Sequence, residues 1–289
     1  MVTPPIMPET SRRTAELGTE NAFVVLAEVN ELARQGKNII SFCIGQPDFH
    51  TPVNIQDAAV KAIREGRHGY TPSAGIAELR AAAAQDLGRL RGLAIDPEHV
   101  VIGAGAKPFI AYTILCTTDY GIGDEVIYPN PGFPIYESQI LAHGAVPVPL
   151  YLGQFASIAS LPGMYERAII SDGASKTWAM TGWRIGYASN PILAPQFVRW
   201  VTNTDSCASH ISQWAALEAL SGPQEEPRKM RESFLARRDL IVGLLNRVPG
   251  VSCKLPGEGQ HIRFSYAASN RAIEEGVAHM ADFIRTNSR

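Results

Sequence analysis

Short apolar runs alternate with segments of helical periodicity along residues 99–150, and this alternation restricts the fold more than any other feature of the sequence. The apolar runs at 99–102, 124–128 and 146–150 are predicted as strands. Strands that alternate with helices are typical of an α/β fold, in which helices flank a mainly parallel central sheet. A further strand is predicted at 38–44, and helices are predicted at 23–34, 54–64, 77–91, 108–116, 135–143, 192–201, 212–220 and 225–247.

Residues 171–186 hold a lysine between small residues on one side and an apolar run ending in Gly-Trp-Arg-Ile-Gly on the other. The small residues allow a bulky planar group to approach the amine of Lys176. Arg184, eight residues later, supplies a fixed cation for a dianion. Lys176 alone would be interpreted as a surface lysine on a turn, whereas the complete run indicates a chemical site.

This run resembles the Schiff-base lysine segment of the class I pyridoxal-phosphate (PLP) aminotransferases, the aspartate aminotransferase family of fold type I. The resemblance implies PLP as the cofactor and Lys176 as the catalytic residue that binds it. It also implies transamination, in which an amino group moves from an L-amino acid to a 2-oxo acid. Arg184 would pair with the cofactor phosphate.

The predicted strand at 99–102 is followed by Gly-Ala-Gly-Ala-Lys and a helix. Backbone N–H groups at such a helix N-terminus suit a phosphate, although an ordinary tight turn fits the residues equally well. The position of this turn is similar to that of the first phosphate-binding turn of the family. The resemblance therefore assigns Gly105, Ala106 and Lys107 to the phosphate.

Four further residues receive roles from the resemblance alone. Phe133 matches the ring that stacks on the pyridine of the cofactor, and it also lies beside the substrate. Gly45 matches a loop that closes over the substrate, and Arg263 matches the arginine that binds its α-carboxylate. Tyr70 matches a tyrosine whose hydroxyl reaches the cofactor phosphate of the partner subunit. Without the resemblance, ordinary structural positions would explain each of these residues.

The resemblance also implies a domain division and an assembly. Residues 46–239 would form the large PLP-binding domain, and residues 1–45 with 240–289 would form a smaller α+β domain from both chain ends. The protein would act as a homodimer with shared active sites.

Two segments of the family have no counterpart, one near 152/153 and one near 257. The first carries an asparagine, an aspartate and a tyrosine that hold the cofactor ring. Either the sequence omits segments of a longer protein, or the polypeptide has two real internal deletions. The family spacing is kept up to each join, which favours omission. Real deletions would leave an unpaired sheet edge.

Composition limits the class of partner and compartment. The net charge is −2, from 26 basic and 28 acidic residues, and this balance predicts neither a nucleic-acid partner nor binding to an anionic membrane. No apolar run is long enough to span a bilayer, and no secretory signal is visible. The cysteines are scattered at positions 43, 116, 207 and 253, which indicates no metal site and favours a cytoplasmic location.

Two other functions stay open from the sequence. Elimination or synthase chemistry uses the same lysine and phosphate site. A catalytically inactive remnant would follow if the two internal deletions are real.

Overall fold

The computed structural model describes residues 11–18, 21–130, 132–150, 157–253 and 265–287. Within these ranges the chain forms helices and short strands in alternation. The helices are α1 (Arg12–Glu16), α2 (Asn21–Arg34), α3 (Val53–Arg64), α4 (Ala77–Arg91), α5 (Lys107–Thr117), α6 (Ile135–Ala142), α7 (Ala194–Thr204), α8 (His210–Ser221), α9 (Glu225–Leu245) and α10 (Asn270–Asn287). The strands are β1 (Val100–Gly103), β2 (Glu125–Pro129), β3 (Val146–Leu150), β4 (Ile170–Gly173) and β5 (Gly186–Ser189).

Two sheets form from these strands. In the first, β5 lies between β1 and β4 and runs antiparallel to both, so β1 and β4 share one direction. In the second, β2 and β3 pair in parallel. Because the connection over residues 174–185 carries only a short 3₁₀ turn, the chain returns antiparallel from β4 to β5. The predicted α/β class is confirmed. Among the described strands, β2 and β3 pair in parallel, whereas both pairings of β5 are antiparallel.

Helices cover both faces of the first sheet, as the alternation of side chains along β1 demonstrates. Val100 and Ile102 pack into a cluster with α3, α4 and α8, whereas Val101 packs into a cluster with α5 and α7. Along β5, Tyr187 faces the first cluster and Ala188 faces the second. All five side chains are almost completely buried. Burying one large apolar side chain contributes about 1.5–3 kcal/mol, so these clusters hold the strand ends in place.

A third cluster joins the end of α9 to α10. Ile241, Ile273 and Val277 are buried in it, and Phe42 packs against it. The predicted strand at 38–44 is wrong, because these residues have no regular secondary structure. Phe42 lies so close to α10 that a side chain on Gly276 would meet its ring at 2.6 Å. The apolar pattern of 38–44 therefore reflects packing against a helix rather than pairing in a sheet.

The predicted helices occur within a few residues of the expected bounds. Helices α1 and α10 and strands β4 and β5 were not predicted. In the described part of the chain, no helix has the length and apolar character needed to cross a bilayer.

Candidate active site

Three glycines share one row at the end of the first sheet. Gly186 of β5 lies opposite Gly103 of β1 on one side and Gly173 of β4 on the other. A Cβ atom added to Gly186 would lie 2.2 Å from the backbone nitrogen of Ala106. The turn between β1 and α5 therefore packs directly on the sheet, which is possible because this row has no side chains.

A cation from the connection between β4 and β5 lies against the same turn. The guanidinium of Arg184 donates to the carbonyl oxygens of Thr181 and Ala104, at 3.0 and 3.3 Å. Gly105 has a φ of +93°, and a Cβ atom added there would lie 2.2 Å from Nη2 of Arg184. No ion pair of Arg184 is found among the described residues. The guanidinium and the N-terminus of α5 together form a site suited to an anion.

Lys107 and Phe133 lie beside this turn. Lys107 is the first residue of α5, and its Nζ lies 5.2 Å from the centre of the Phe133 ring and 5.8 Å from that of Phe23. The Phe133 ring also meets Tyr136 edge to face, with centres 5.9 Å apart. The structure thus places the Phe133 ring beside Lys107, next to the candidate anion site.

Lys176 lies on the turn that leaves β4. Its Nζ donates to the carbonyl oxygen of Gly45 at 2.6 Å. The turn is fixed by hydrogen bonds from Ala174 N to Ile185 O and from Met180 N to Ser175 O, both at 3.1 Å. Gly45, which is predicted to lie in a loop over the substrate, and Lys176, the predicted catalytic lysine, are therefore adjacent, although they lie far apart in the sequence.

A cavity of about 680 Å³ opens beside Lys176 and Gly45. Met230 and Phe234 of α9 and the ring of Tyr266 form much of its wall. This volume lies within the usual range for small-molecule sites, roughly 300–1,000 Å³. The arrangement offers an amine at the edge of a space that Arg89, Arg228 and Arg231 also line.

Tyr70 lies on the loop between α3 and α4, and it is 89% exposed. Gln213 of α8, which is fully buried, holds this loop through Thr71 and Ile76. Gln213 was missed in the sequence, where a polar residue in the apolar helix at 212–220 is the available signal. Arg263 lies outside the described residues, as do the joins near 152/153 and 257.

Tyr187, buried on β5 next to Gly186, stays neutral over a wide pH range. Burial is the main reason that its pKa is raised well above the usual value, and the nearby carboxylates of Asp172 and Asp86 raise it further. Asp172, the register partner of Tyr187, forms an ion pair with Arg91 at 3.6 Å. Among the described residues, no cluster of His, Cys, Asp or Glu side chains is arranged to hold a metal ion.

Comparison with known proteins gives a consistent picture. Residues 37–154 and 150–260 match the family described as aminotransferase class I and II. The aspartate/prephenate aminotransferase of Cereibacter sphaeroides is 32% identical, over 84% of this chain and 78% of its own length. The aspartate aminotransferase of Geobacillus stearothermophilus is 29% identical, over 94% of this chain and 88% of its own.

The crystal structure of the aspartate aminotransferase of Rhizobium meliloti superposes with a TM-score of 0.87, at 24% identity, over 96% of this chain and 98% of that one. At this identity the likeness establishes the fold. The alignment with the Geobacillus protein extends over 349 positions, more than the 289 residues of this chain. The relatives therefore carry residues that this chain lacks. The two family matches meet at 150–154, where the sequence predicts the first missing segment.

Proposed function

Because the chain belongs to the class I and II aminotransferase family, we propose that it carries out PLP-dependent transamination at the site formed by Lys176, Arg184 and the turn before α5. The reaction moves an amino group from an amino acid to a 2-oxo acid. When bound, PLP withdraws electrons from the amino acid and carries the amino group between the two substrates.

The single observation that supports this site most is the fixed guanidinium of Arg184 above Gly105. A phosphate needs positive charge and several hydrogen-bond donors. Arg184 supplies the charge, and the backbone of Ala106 and Lys107 supplies donors at the N-terminus of α5. The N–H of Gly105 already donates to Gly103 O at 2.8 Å, so Gly105 contributes the room for Arg184. The ring of Phe133 would lie against the cofactor ring. These residues fit PLP.

Lys176 has two tasks in this proposal. Its Nζ would hold the cofactor, and when free it would act as the base that takes a proton from the substrate carbon. Its Nζ donates to Gly45 O at 2.6 Å, so Gly45 lies next to the reacting amine. Gly45 then belongs to the loop over the substrate, and Arg263 would hold the substrate carboxylate with its planar guanidinium.

We also propose the domain division into 46–239 and 1–45 with 240–289, and a homodimer in the cytoplasm. The separate cluster of α9 and α10 supports the smaller domain. The exposed ring of Tyr70 supports a contact with the partner subunit. The four cysteines are free, which suits a reducing compartment.

The direct test combines a half-reaction screen with trapping of the cofactor. The purified PLP form is incubated with single amino acids, and formation of the 2-oxo acid is measured. Borohydride reduction followed by peptide mapping should locate PLP on Lys176. Lys176→Ala should abolish both signals, whereas Lys61→Ala, an exposed lysine on α3, should keep both. PLP mapped to another lysine, or turnover by Lys176→Ala, would contradict the assignment.

A further inference from the structure

We propose that Gln213 is a positioning residue that fixes the loop of Tyr70 for a contact with the cofactor phosphate in the partner subunit. The inference rests on the proposed function, in which Tyr70 reaches across the dimer. Gln213 touches neither cofactor nor substrate in this proposal. It acts by holding the loop that carries Tyr70.

The side-chain amide of Gln213 forms hydrogen bonds with this loop and with Ala208, just before α8. Its Nε2 donates to Thr71 Oγ1 at 3.0 Å and to Ala208 O at 2.9 Å. Its Oε1 accepts from the backbone nitrogen of Ile76 at 2.8 Å. The side chain has no exposed surface. A buried amide with every donor satisfied fixes one geometry, because any shift of the loop leaves a buried polar atom unpaired.

The loop is held closely at its other contacts as well. The backbone nitrogen of Ile102 donates to Ala74 O at 3.0 Å, and a ring nitrogen of His210 lies 3.2 Å from Gly69 O. Gly75 has a φ of +98°, and a Cβ atom added there would lie 2.4 Å from Cγ1 of Ile102. The loop therefore rests directly on β1 and on the start of α8.

Tyr70 is the exception in this fixed loop, because its side chain is 89% exposed. A rigid base that presents an exposed aromatic side chain suits a contact outside its own chain. Binding is stronger when the contacting group is already ordered, because less conformational freedom is lost. Gln213 therefore increases PLP affinity at the site of the other subunit.

Thr71 offers the sharpest test, because its hydroxyl accepts from Gln213 and donates to Pro72 O at 3.1 Å. Thr71→Val removes this link while keeping the shape, and Thr71→Ser restores the hydroxyl as the matched control. We expect Thr71→Val to raise the Kd of PLP about two- to tenfold, and Thr71→Ser to leave it unchanged. Gln213→Met should act in the same direction as Thr71→Val.

Hybrid dimers with differently tagged subunits then locate the effect. Each hybrid has one intact Lys176, and PLP bound there is trapped with borohydride over a range of concentrations. When Thr71→Val and Lys176→Ala are on the same chain, the intact lysine depends on the altered loop, and its affinity should fall. When they are on different chains, the intact lysine receives an unaltered loop, and its affinity should be normal.

An affinity loss that follows the chain carrying the intact lysine would overturn the inference, because Gln213 would then act within its own subunit. So would unchanged affinity in Thr71→Val and Gln213→Met while Tyr70→Phe weakens PLP binding in trans. If Tyr70→Phe itself has no effect, the cross-subunit role of Tyr70 fails and the inference fails with it. Trapping of PLP on Lys176 and formation of 2-oxo acid test the proposed function separately.

Discussion

The guanidinium of Arg184 occupies the space that a side chain on Gly105 would need, since an added Cβ atom would lie 2.2 Å from Nη2. Arg184 itself has a φ of +55°, a left-handed conformation that is unusual for a residue with a side chain. The two residues therefore depend on each other. Gly105 leaves the room, and the strained backbone of Arg184 directs the cation to the turn before α5.

Gly105→Ala should disturb the contact between Arg184 and Gly105 while leaving the rest of the fold in place. The left-handed backbone at position 105 should cost about 1–2 kcal/mol of stability with an alanine. The displaced guanidinium should also lower PLP affinity, by roughly ten- to a hundredfold if one charge-assisted hydrogen bond is lost. Urea unfolding and PLP titration measure the two effects.

Gly92→Ala is the matched control for this substitution. Gly92 also has a left-handed backbone, with a φ of +68°, but no atom lies within 4 Å of its added Cβ. Its stability should fall by a similar amount and its PLP affinity should not change. Equal PLP affinity in Gly105→Ala and Gly92→Ala would mean that Arg184 does not contribute to cofactor binding.

Arg237→Met should destabilise the contact between α9 and the loop after Gly45. Arg237 donates to Asp48 at 2.6 Å, and its guanidinium lies 4.9 Å from the centre of the Phe49 ring. Its side chain is 11% exposed. Losing a charge-assisted hydrogen bond there should cost about 1.5–3 kcal/mol in urea unfolding.

The neighbouring Arg238 provides the comparison. Its ion pair with Asp239 is exposed on both sides, so Arg238→Met should change stability by about 0.5 kcal/mol or less. The same loss in both variants would mean that the Arg237 contact adds nothing beyond a surface ion pair.

Most helices could be predicted from sequence because their signals are local. Apolar residues at helical spacing mark α3, and Gly92 ends α4 with a left-handed residue. The periodicity of Ile273 and Val277 could have identified α10 in the same way. Strand β4 is harder to predict, because Ile-Ser-Asp-Gly is short and mostly polar. Its pairing with β5 depends on tertiary contacts that periodicity does not contain.

The residues of the candidate site likewise fall into those with a local sequence signal and those that depend on tertiary contacts. The residues around Lys176 and Arg184 could be identified because they form one continuous segment. The hydrogen bond from Lys176 to Gly45 joins residues 131 positions apart, and no local pattern predicts it. Gln213 was missed because its partners, Thr71 and Ile76, lie 142 and 137 positions away in the sequence.

Arg263→Ala should weaken amino-acid binding far more than PLP binding. The resemblance assigns the substrate carboxylate to this residue, which lies outside the described residues. Losing a charge-assisted hydrogen bond costs about 1.5–3 kcal/mol, so the KM for the amino acid should rise roughly ten- to a hundredfold. PLP titration of the same variant is the control. An unchanged KM together with loss of PLP would give Arg263 a different role.

The buried phenol of Tyr187 should make the protein less stable at high pH. Burial raises the pKa of this group above its ordinary value of 10.0, and Asp172 and Asp86 raise it further. Below pH 10 the phenol is protonated in both the folded and the unfolded chain, so its contribution to stability is constant. Above that pH the unfolded chain releases a proton that the folded chain keeps, and stability falls with rising pH.

Tyr187→Phe removes this ionisation. The free energy of unfolding, measured in urea at several pH values from neutral to about 11, should therefore fall less steeply in the variant above pH 10, by up to about 1.4 kcal/mol per pH unit. Some slope should remain, because burial also raises the pKa values of Tyr112 and Tyr165. Tyr120→Phe, at an exposed ring, is the control and should keep the steep slope of the unmodified protein. Parallel curves for Tyr187→Phe and the unmodified protein would mean that Tyr187 ionises as readily in the folded chain as in the unfolded one.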